Sequence, residues 1–155
     1  ITFLSDIVDR LLDLRMYYDE YRPILLKVSP DLSHEQLDEI IDYCLRSGID
    51  GIVAGNTTRS REGLTSISKE KIEEIGNGGM SGAPVHKKNL ELVRYVHTKS
   101  DGKLPIIGVG GIMSPEQARD MLDAGASLVE IYSGFIYEGP SLVKRILKYL
   151  EQIGK

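Results

Sequence analysis

The chain is poor in the residues that make several kinds of chemistry possible. It has one cysteine, Cys44, in 155 residues, which excludes an internal disulfide and fits a reducing compartment. Cys44 falls on the apolar face of a predicted helix and is expected to be a buried structural thiol rather than a reactive one. The three histidines, His34, His86 and His97, share no metal-ligand spacing with each other or with Cys44. All three are expected on the surface or on helix faces, with no metal. No Ser/His/Asp or Cys/His pairing suggests a nucleophilic enzyme. Lys and Arg number 19 against 23 Asp and Glu, for a net charge of −4. No basic run or stripe is present, which argues against nucleic acid as the main partner. No apolar run approaches the ~18 residues of a spanning helix, and the opening residues lack the pattern of a secretory signal.

What is present is an alternation of short apolar runs and helical periodicity. Leu4, Ile7, Val8, Leu11 and Leu12 have helical spacing, predicting a helix over 4–15. Ile24–Val28 reads as a strand. Ser33-His34-Glu35-Gln36 reads as a capping box that opens a helix carrying Leu37, Ile40, Ile41, Cys44 and Leu45, stopped by Gly48. Gly51–Ala54 is the next strand. A long Gly-, Ser-, Arg- and Glu-rich segment then runs to about Val85, with a short helix at Lys69–Ile75. Loops of this length are functional or disordered. A helix over Asn89–Lys99, a strand ending at Val109, a helix over Pro115–Ala124, a buried strand over Ser127–Tyr132 and a helix over Ser141–Gln152 complete the reading.

The most informative stretch is L-P-I-I-G-V-G-G-I-M (Leu104–Met113). A strand stops at paired glycines, and Ser114-Pro115-Glu116-Gln117 starts a helix at once, with a second capping box. Free N–H groups and a helix dipole converge at such a junction, which suits a phosphate. A similar strand end follows at Tyr132-Ser133-Gly134. Two consecutive ends of this kind point to a (β/α) barrel, whose last loops often hold a phosphate. A complete barrel takes about 250 residues. The chain begins at Ile1 and supplies one helix and four βα units, so the expected fold is α/β, the C-terminal half of a (β/α)8 barrel. The expected domain is a single unit over 1–155, with a preceding helix within 1–21 and four βα units within 22–155.

The chemistry-bearing residues share one address, the C-terminal ends of the predicted strands. Lys27 is flanked by Leu25, Leu26 and Val28, and a lysine in a buried strand needs a partner. It is either a cation held beside an anionic cofactor, or a barrel-interior ion pair, or an edge residue reaching water. Asn56, Thr57 and Thr58 group an amide with two hydroxyls, suited to a planar polar ligand or to an ordinary Asx or Thr turn. Gly78, Gly79, Ser81 and Gly82 expose backbone N–H groups and a hydroxyl, as an anion cradle or a flexible turn. Arg59-Ser60-Arg61-Glu62 reads as a solvated loop, with a place over an active-site mouth as the alternative.

Taken in order, five segments resemble one family. They are I-L-L-K-V-S-P-D-L (Ile24–Leu32), D-G-I-V-A-G-N-T-T (Asp50–Thr58), G-G-M-S-G-A-P-V (Gly78–Val85), P-I-I-G-V-G-G-I (Pro105–Ile112) and S-L-V-E-I-Y-S-G-F-I-Y-E-G-P (Ser127–Pro140). From Arg22 onward the chain resembles the C-terminal half of dihydroorotate dehydrogenase, class 2 in particular. The resemblance implies a barrel with FMN at its C-terminal mouth, oxidation of dihydroorotate to orotate in pyrimidine synthesis, and quinone as electron acceptor. It implies Lys27 beside the flavin ring, Gly82 against the flavin or its ribityl chain, and Gly110, Gly111, Tyr132 and Ser133 on the FMN phosphate. Asn56 and Thr57 are then expected to bind the substrate's pyrimidine ring. Gly55 falls where the family usually has a threonine that contacts FMN, so one hydroxyl contact is lost.

The family's catalytic base is a serine on an earlier barrel strand, which implies that this chain contains no catalytic base and is inactive alone. The segment that meets membrane and quinone is likewise expected in a preceding N-terminal half. The full-length enzyme is expected at the cytoplasmic side as a peripheral membrane protein, and this portion by itself is expected to be soluble. Two other readings fit the glycine cups: half of another phosphate-binding barrel enzyme, or a non-enzymatic half barrel. Half a barrel leaves strand edges and an apolar interior open, so self-association is expected.

Overall fold

The computed structural model describes residues 2–64 and 67–154. Helix α1 (Thr2–Arg15) precedes β1 (Leu25–Val28), α2 (His34–Ser47), β2 (Gly51–Ala54), α3 (Lys69–Ile75), a 3-10 turn (Ala83–Val85), α4 (His86–Lys99), β3 (Ile106–Val109), α5 (Pro115–Asp123), β4 (Leu128–Glu130), α6 (Ser133–Glu138) and α7 (Ser141–Gln152). The four strands form one parallel sheet in chain order β1-β2-β3-β4. Helices connect them as in successive βα units, and the architecture is that of a partial (β/α) barrel.

The local signals explain most boundaries. At α2 both arms of the capping box form: Gln36 N donates to Ser33 Oγ (3.3 Å) and Ser33 N to Gln36 Oε1 (3.0 Å). Gly48 ends the helix at φ 78°, the left-handed conformation that a glycine C-cap provides. At α5 only half of the expected box is made. Ser114 Oγ accepts from Gln117 N, but the Gln117 side chain reaches one residue further back and accepts from Met113 N (2.7 Å). That arm therefore braces the loop after β3.

Successive residues of a strand face opposite sides of the sheet, and here the sides differ. Toward the helices point Leu26, Val28, Ile52, Ala54, Ile106, Gly108 and Val129, where Ile52, Ala54 and Ile106 have no exposed surface. They join Ile41, Val93, Val96, Met121 and Leu142 in one core. The other side carries the register row Lys27, Val53, Ile107, Leu128. Among the described residues no helix covers it: Leu128 is 63% exposed, and Leu25 and Lys27 are exposed. Along the strands that side is buried only at its two ends, at Gly51 where β2 begins and at Val109 at the top of β3.

This one-sided packing corrects the expectation of a buried strand over Ser127–Tyr132. β4 is shorter, and Leu128 and Glu130 are exposed because both lie on the uncovered side of an edge strand. The expected Asn89–Lys99 helix starts earlier, at His86, where the 3-10 turn containing Pro84 leads into it. Helix α6 is an addition to the sequence reading.

Polar contacts at both ends tie helix α1 to the rest of the chain, Tyr43 Oη also reaching the Ser5 carbonyl (3.4 Å). Tyr43 Oη donates to Asp9 Oδ1 (2.6 Å), and Arg15 pairs with Asp50 (2.6 Å), which also accepts from Ile24 N. Burial and the Asp9 carboxylate push the Tyr43 hydroxyl up to about 12. Leu4, Val8 and Leu12 of α1 face the core, whereas Phe3, Ile7, Leu11 and Leu14 form a second, exposed apolar stripe. No helix among the described residues is long and apolar enough to cross a membrane.

Candidate functional site

The loops that follow the strands meet at one end of the sheet. After β2, Thr58 and Met80 exchange two backbone hydrogen bonds (3.1 and 2.7 Å), an isolated antiparallel bridge. This bridge brings the Gly78–Gly82 element back over Asn56 and Thr57. The approach is close: a β-carbon at Gly79 would lie 2.1 Å from Thr57 Oγ1. Asn56 Oδ1 accepts from Thr57 N (2.9 Å), a local turn contact. Both residues remain exposed, so the turn and the ligand-facing readings coexist.

A polar network under this loop holds it. Asp31, after β1, accepts from Thr58 Oγ1, from Arg59 N (2.8 Å) and from Lys88 Nζ at the start of α4. Burial raises the Asp31 carboxyl, but the bonds from Lys88, Thr58 and Arg59 outweigh it and bring it down to about 2. Arg61 corrects the picture of a merely solvated Arg59–Glu62 run. Its guanidinium donates to the carbonyls of Thr58, Arg59, Gly76 and Gly78 and so ties the two ends of the long loop together.

The glycine cups converge on the same end. Gly110 (φ 104°) and Gly111 (φ 75°) occupy conformations that L residues avoid. A β-carbon at Gly111 would lie 2.4 Å from His86 N, and one at Gly134 would lie 2.0 Å from the Ile112 carbonyl oxygen. The glycines thus let the loops after β3 and β4 press against each other and against α4. At Gly82 (φ 81°) an added β-carbon would lie 4.0 Å from the Ser133 β-carbon, so the two loop elements are close neighbours. Tyr132 is 79% exposed and precedes the first turn of α6, whose leading N–H groups have no intrahelical acceptor.

Gly55 departs from the expected threonine for a visible reason. Its φ is 129°, and a β-carbon there would lie 2.0 Å from the Val109 carbonyl oxygen. In this chain the ends of β2 and β3 approach too closely for any side chain at position 55. Lys27 lies one residue before the end of β1 and is exposed on the uncovered side. It makes no hydrogen bond or ion pair among the described residues, so the internal ion-pair reading has no partner in this chain.

Cys44 is buried, and burial pushes its thiol up to about 11. His34 stacks on Tyr95 at 4.3 Å. His86 lies on α4, as expected of a surface or helix-face histidine, but neither ring nitrogen has a hydrogen-bond partner among the described residues, and burial lowers its pKa against an opposing pull from Asp120. No cluster of three or more His, Cys, Asp or Glu suited to a metal exists among the described residues. Two residues absent from the sequence reading matter here, Lys88 and the fully buried Asn89. Asn89 left a signal, a lone amide on a helical stripe otherwise made of Leu92, Val93 and Val96.

The donor set suits an elongated anionic ligand with a polar ring. Backbone N–H groups and the Ser133 hydroxyl lie at one end of the site, with an exposed amide and hydroxyl at Asn56–Thr57. Lys27 adds a cation on the uncovered side that has no partner among the described residues.

The family model described as dihydroorotate dehydrogenase matches residues 5–153. The chain is 43% identical over 147 residues to dihydroorotate dehydrogenase (quinone) of Proteus mirabilis, covering 95% of this chain and 43% of the relative. It is 47% identical over 143 residues to the protein of the same name from Christiangramia forsetii, covering 92% and 41%. The crystal structure of ligand-free DHODH from Eimeria tenella superposes with a TM-score of 0.85 at 30% identity, covering 97% of this chain and 46% of that one. The chain therefore spans less than half the length of the relatives it matches.

Proposed function

The chain belongs to the dihydroorotate dehydrogenase family, and from that premise we propose that it is the FMN-binding, C-terminal barrel half of a quinone-type enzyme that oxidises dihydroorotate to orotate in pyrimidine synthesis. The observation that carries this reading is the convergence of Asn56–Thr57, Gly82, Gly110–Gly111 and Tyr132–Ser133 at one end of the sheet, with the unpaired Lys27 close to that end of β1.

FMN, when bound, supplies the two-electron redox chemistry. The residues of this chain bind and orient. Backbone N–H groups at Gly110, Gly111, Tyr132 and Ser133 hold the phosphate. Gly82, lacking a side chain, lets the backbone approach the ribityl chain or ring. Lys27 Nζ places a positive charge beside the ring, where it stabilises negative charge that develops on reduction. Asn56 and Thr57 present amide and hydroxyl groups to the pyrimidine ring. Gly55 contributes backbone alone.

The base that takes a proton from dihydroorotate, and the surface that meets quinone and the membrane, belong in this reading to a preceding barrel half. That half covers the open side of the sheet. Without it, the open side drives self-association of the chain, and dihydroorotate-dependent dye reduction stays at background.

The test is titration of the chain with FMN, followed by flavin fluorescence. Saturable quenching that weakens in Lys27→Ala is the expected result. Absence of saturable binding, or binding unaffected by that substitution, would overturn the assigned site. Clear dye reduction by the chain alone would overturn the assignment of the base to another half.

A further inference from the structure

Asn89 is the fourth residue of α4 and has no exposed surface. It lies on the stripe of Leu92, Val93 and Val96, all buried, where an apolar residue would be expected. An amide placed in a core costs free energy unless its polar atoms are paired. Here both ends pair with a single residue. Asn89 Oδ1 accepts from Asn56 N (3.3 Å) and Asn89 Nδ2 donates to Asn56 O (3.2 Å).

Two neighbours are fitted to this amide. A β-carbon at Gly110 would lie 2.3 Å from Asn89 Nδ2, and one at Gly55 would lie 3.1 Å from Asn89 Cγ. The side chain is thus wedged between the ends of β2 and β3. The ladder stops at Ala54, and the Asn56 peptide groups would otherwise be left without a strand partner. Asn89 takes the place of that partner.

We infer that Asn89 is a positioning residue: it clasps the Asn56 main chain from below and thereby fixes the direction in which Asn56 and Thr57 present their side chains to a bound pyrimidine. The inference rests on the substrate role proposed for Asn56–Thr57, but the clasp itself does not. Its orientation also makes the amide selective. An isosteric carboxylate could still accept from Asn56 N, yet would set an anion against the Asn56 carbonyl oxygen.

The experiment compares the chain with its Asn89→Ala and Asn89→Asp variants by amide hydrogen exchange and by orotate and FMN titration. Exchange at the Asn56 amide is expected to rise about tenfold in Asn89→Ala, the effect of losing one hydrogen bond, with α7 amides unchanged. Where the chain binds both ligands, both variants are expected to lose about tenfold in orotate affinity while FMN affinity changes less than about twofold. Where it binds neither, the functional reading fails and the exchange pattern alone decides the clasp. An unchanged Asn56 amide, or a uniform rise across all amides, would overturn the inference. So would a parallel loss of both ligands in the isosteric variant.

Discussion

The two sides of the sheet are made by the same strands and differ in almost every physical respect. On the helix side Ile52, Ala54 and Ile106 are fully buried in one core. On the other side their strand neighbours Val53 and Ile107 are partly open, and Leu25, Lys27 and Leu128 are exposed. Parallel sheets ordinarily have both faces covered. This chain completes one face and leaves the other, which carries Lys27, open. The second apolar stripe of α1 teaches the same lesson, since Phe3, Ile7, Leu11 and Leu14 are apolar without contributing to this core.

The sharpest test of that contrast is a pair of neighbours on β3. Ile106→Ala should cost about 2–5 kcal/mol, as for a buried large-to-small change. Ile107→Ala should cost less than about 1 kcal/mol. Urea unfolding of the two variants measures both, and equal losses would dissolve the distinction. Next in size is Gly55→Thr, which introduces the threonine that the family resemblance leads one to expect. With φ at 129° and the Val109 carbonyl in the way, it should destabilise the chain by about 2–4 kcal/mol. A neutral result in the same assay would show that the ends of β2 and β3 are not held together.

Asp31 carries a smaller, pH-dependent effect. Its carboxyl lies at about 2 in the folded chain against an ordinary 3.8. A depressed acid stabilises the fold while ionised, so this contribution is complete above about pH 4 and is lost as pH falls toward 2. Asp31→Asn should flatten that part of the stability profile and free the Asn56–Arg59 loop, measured by acid titration followed by circular dichroism. The smallest effect on stability belongs to Leu128→Ser on the open side. It should shift the unfolding midpoint little, within about 0.5 kcal/mol, while reducing self-association seen by sedimentation.

Much of this could be read from the chain before its structure. Ser33, Gln36 and Gly48 announced α2 because capping chemistry is local. The glycine pair at 110–111 announced a strand end because backbone with positive φ has few other tenants. What was hidden depends on distant partners. Helix α6 is short, contains Gly134 and lacks a side-chain cap, so nothing nearby marks it. Arg61 looked solvated because its acceptors at Gly76 and Gly78 are brought to it only by the folded loop. The Asn89 amide looked like one polar residue in a helix, since its meaning lies in Asn56, far away in sequence. The exposure of Leu128 was hidden for the opposite reason: its sequence is that of a covered strand, and the cover is not in this chain.

The measurement that bears most directly on this account is the solution mass of the chain by light scattering over a range of concentrations. A sheet completed on one side only is expected to give a dimer or larger species, dissociating on dilution. A stable monomer with cooperative unfolding would contradict it, and would mean that the open side, Lys27 included, is sufficient as it stands.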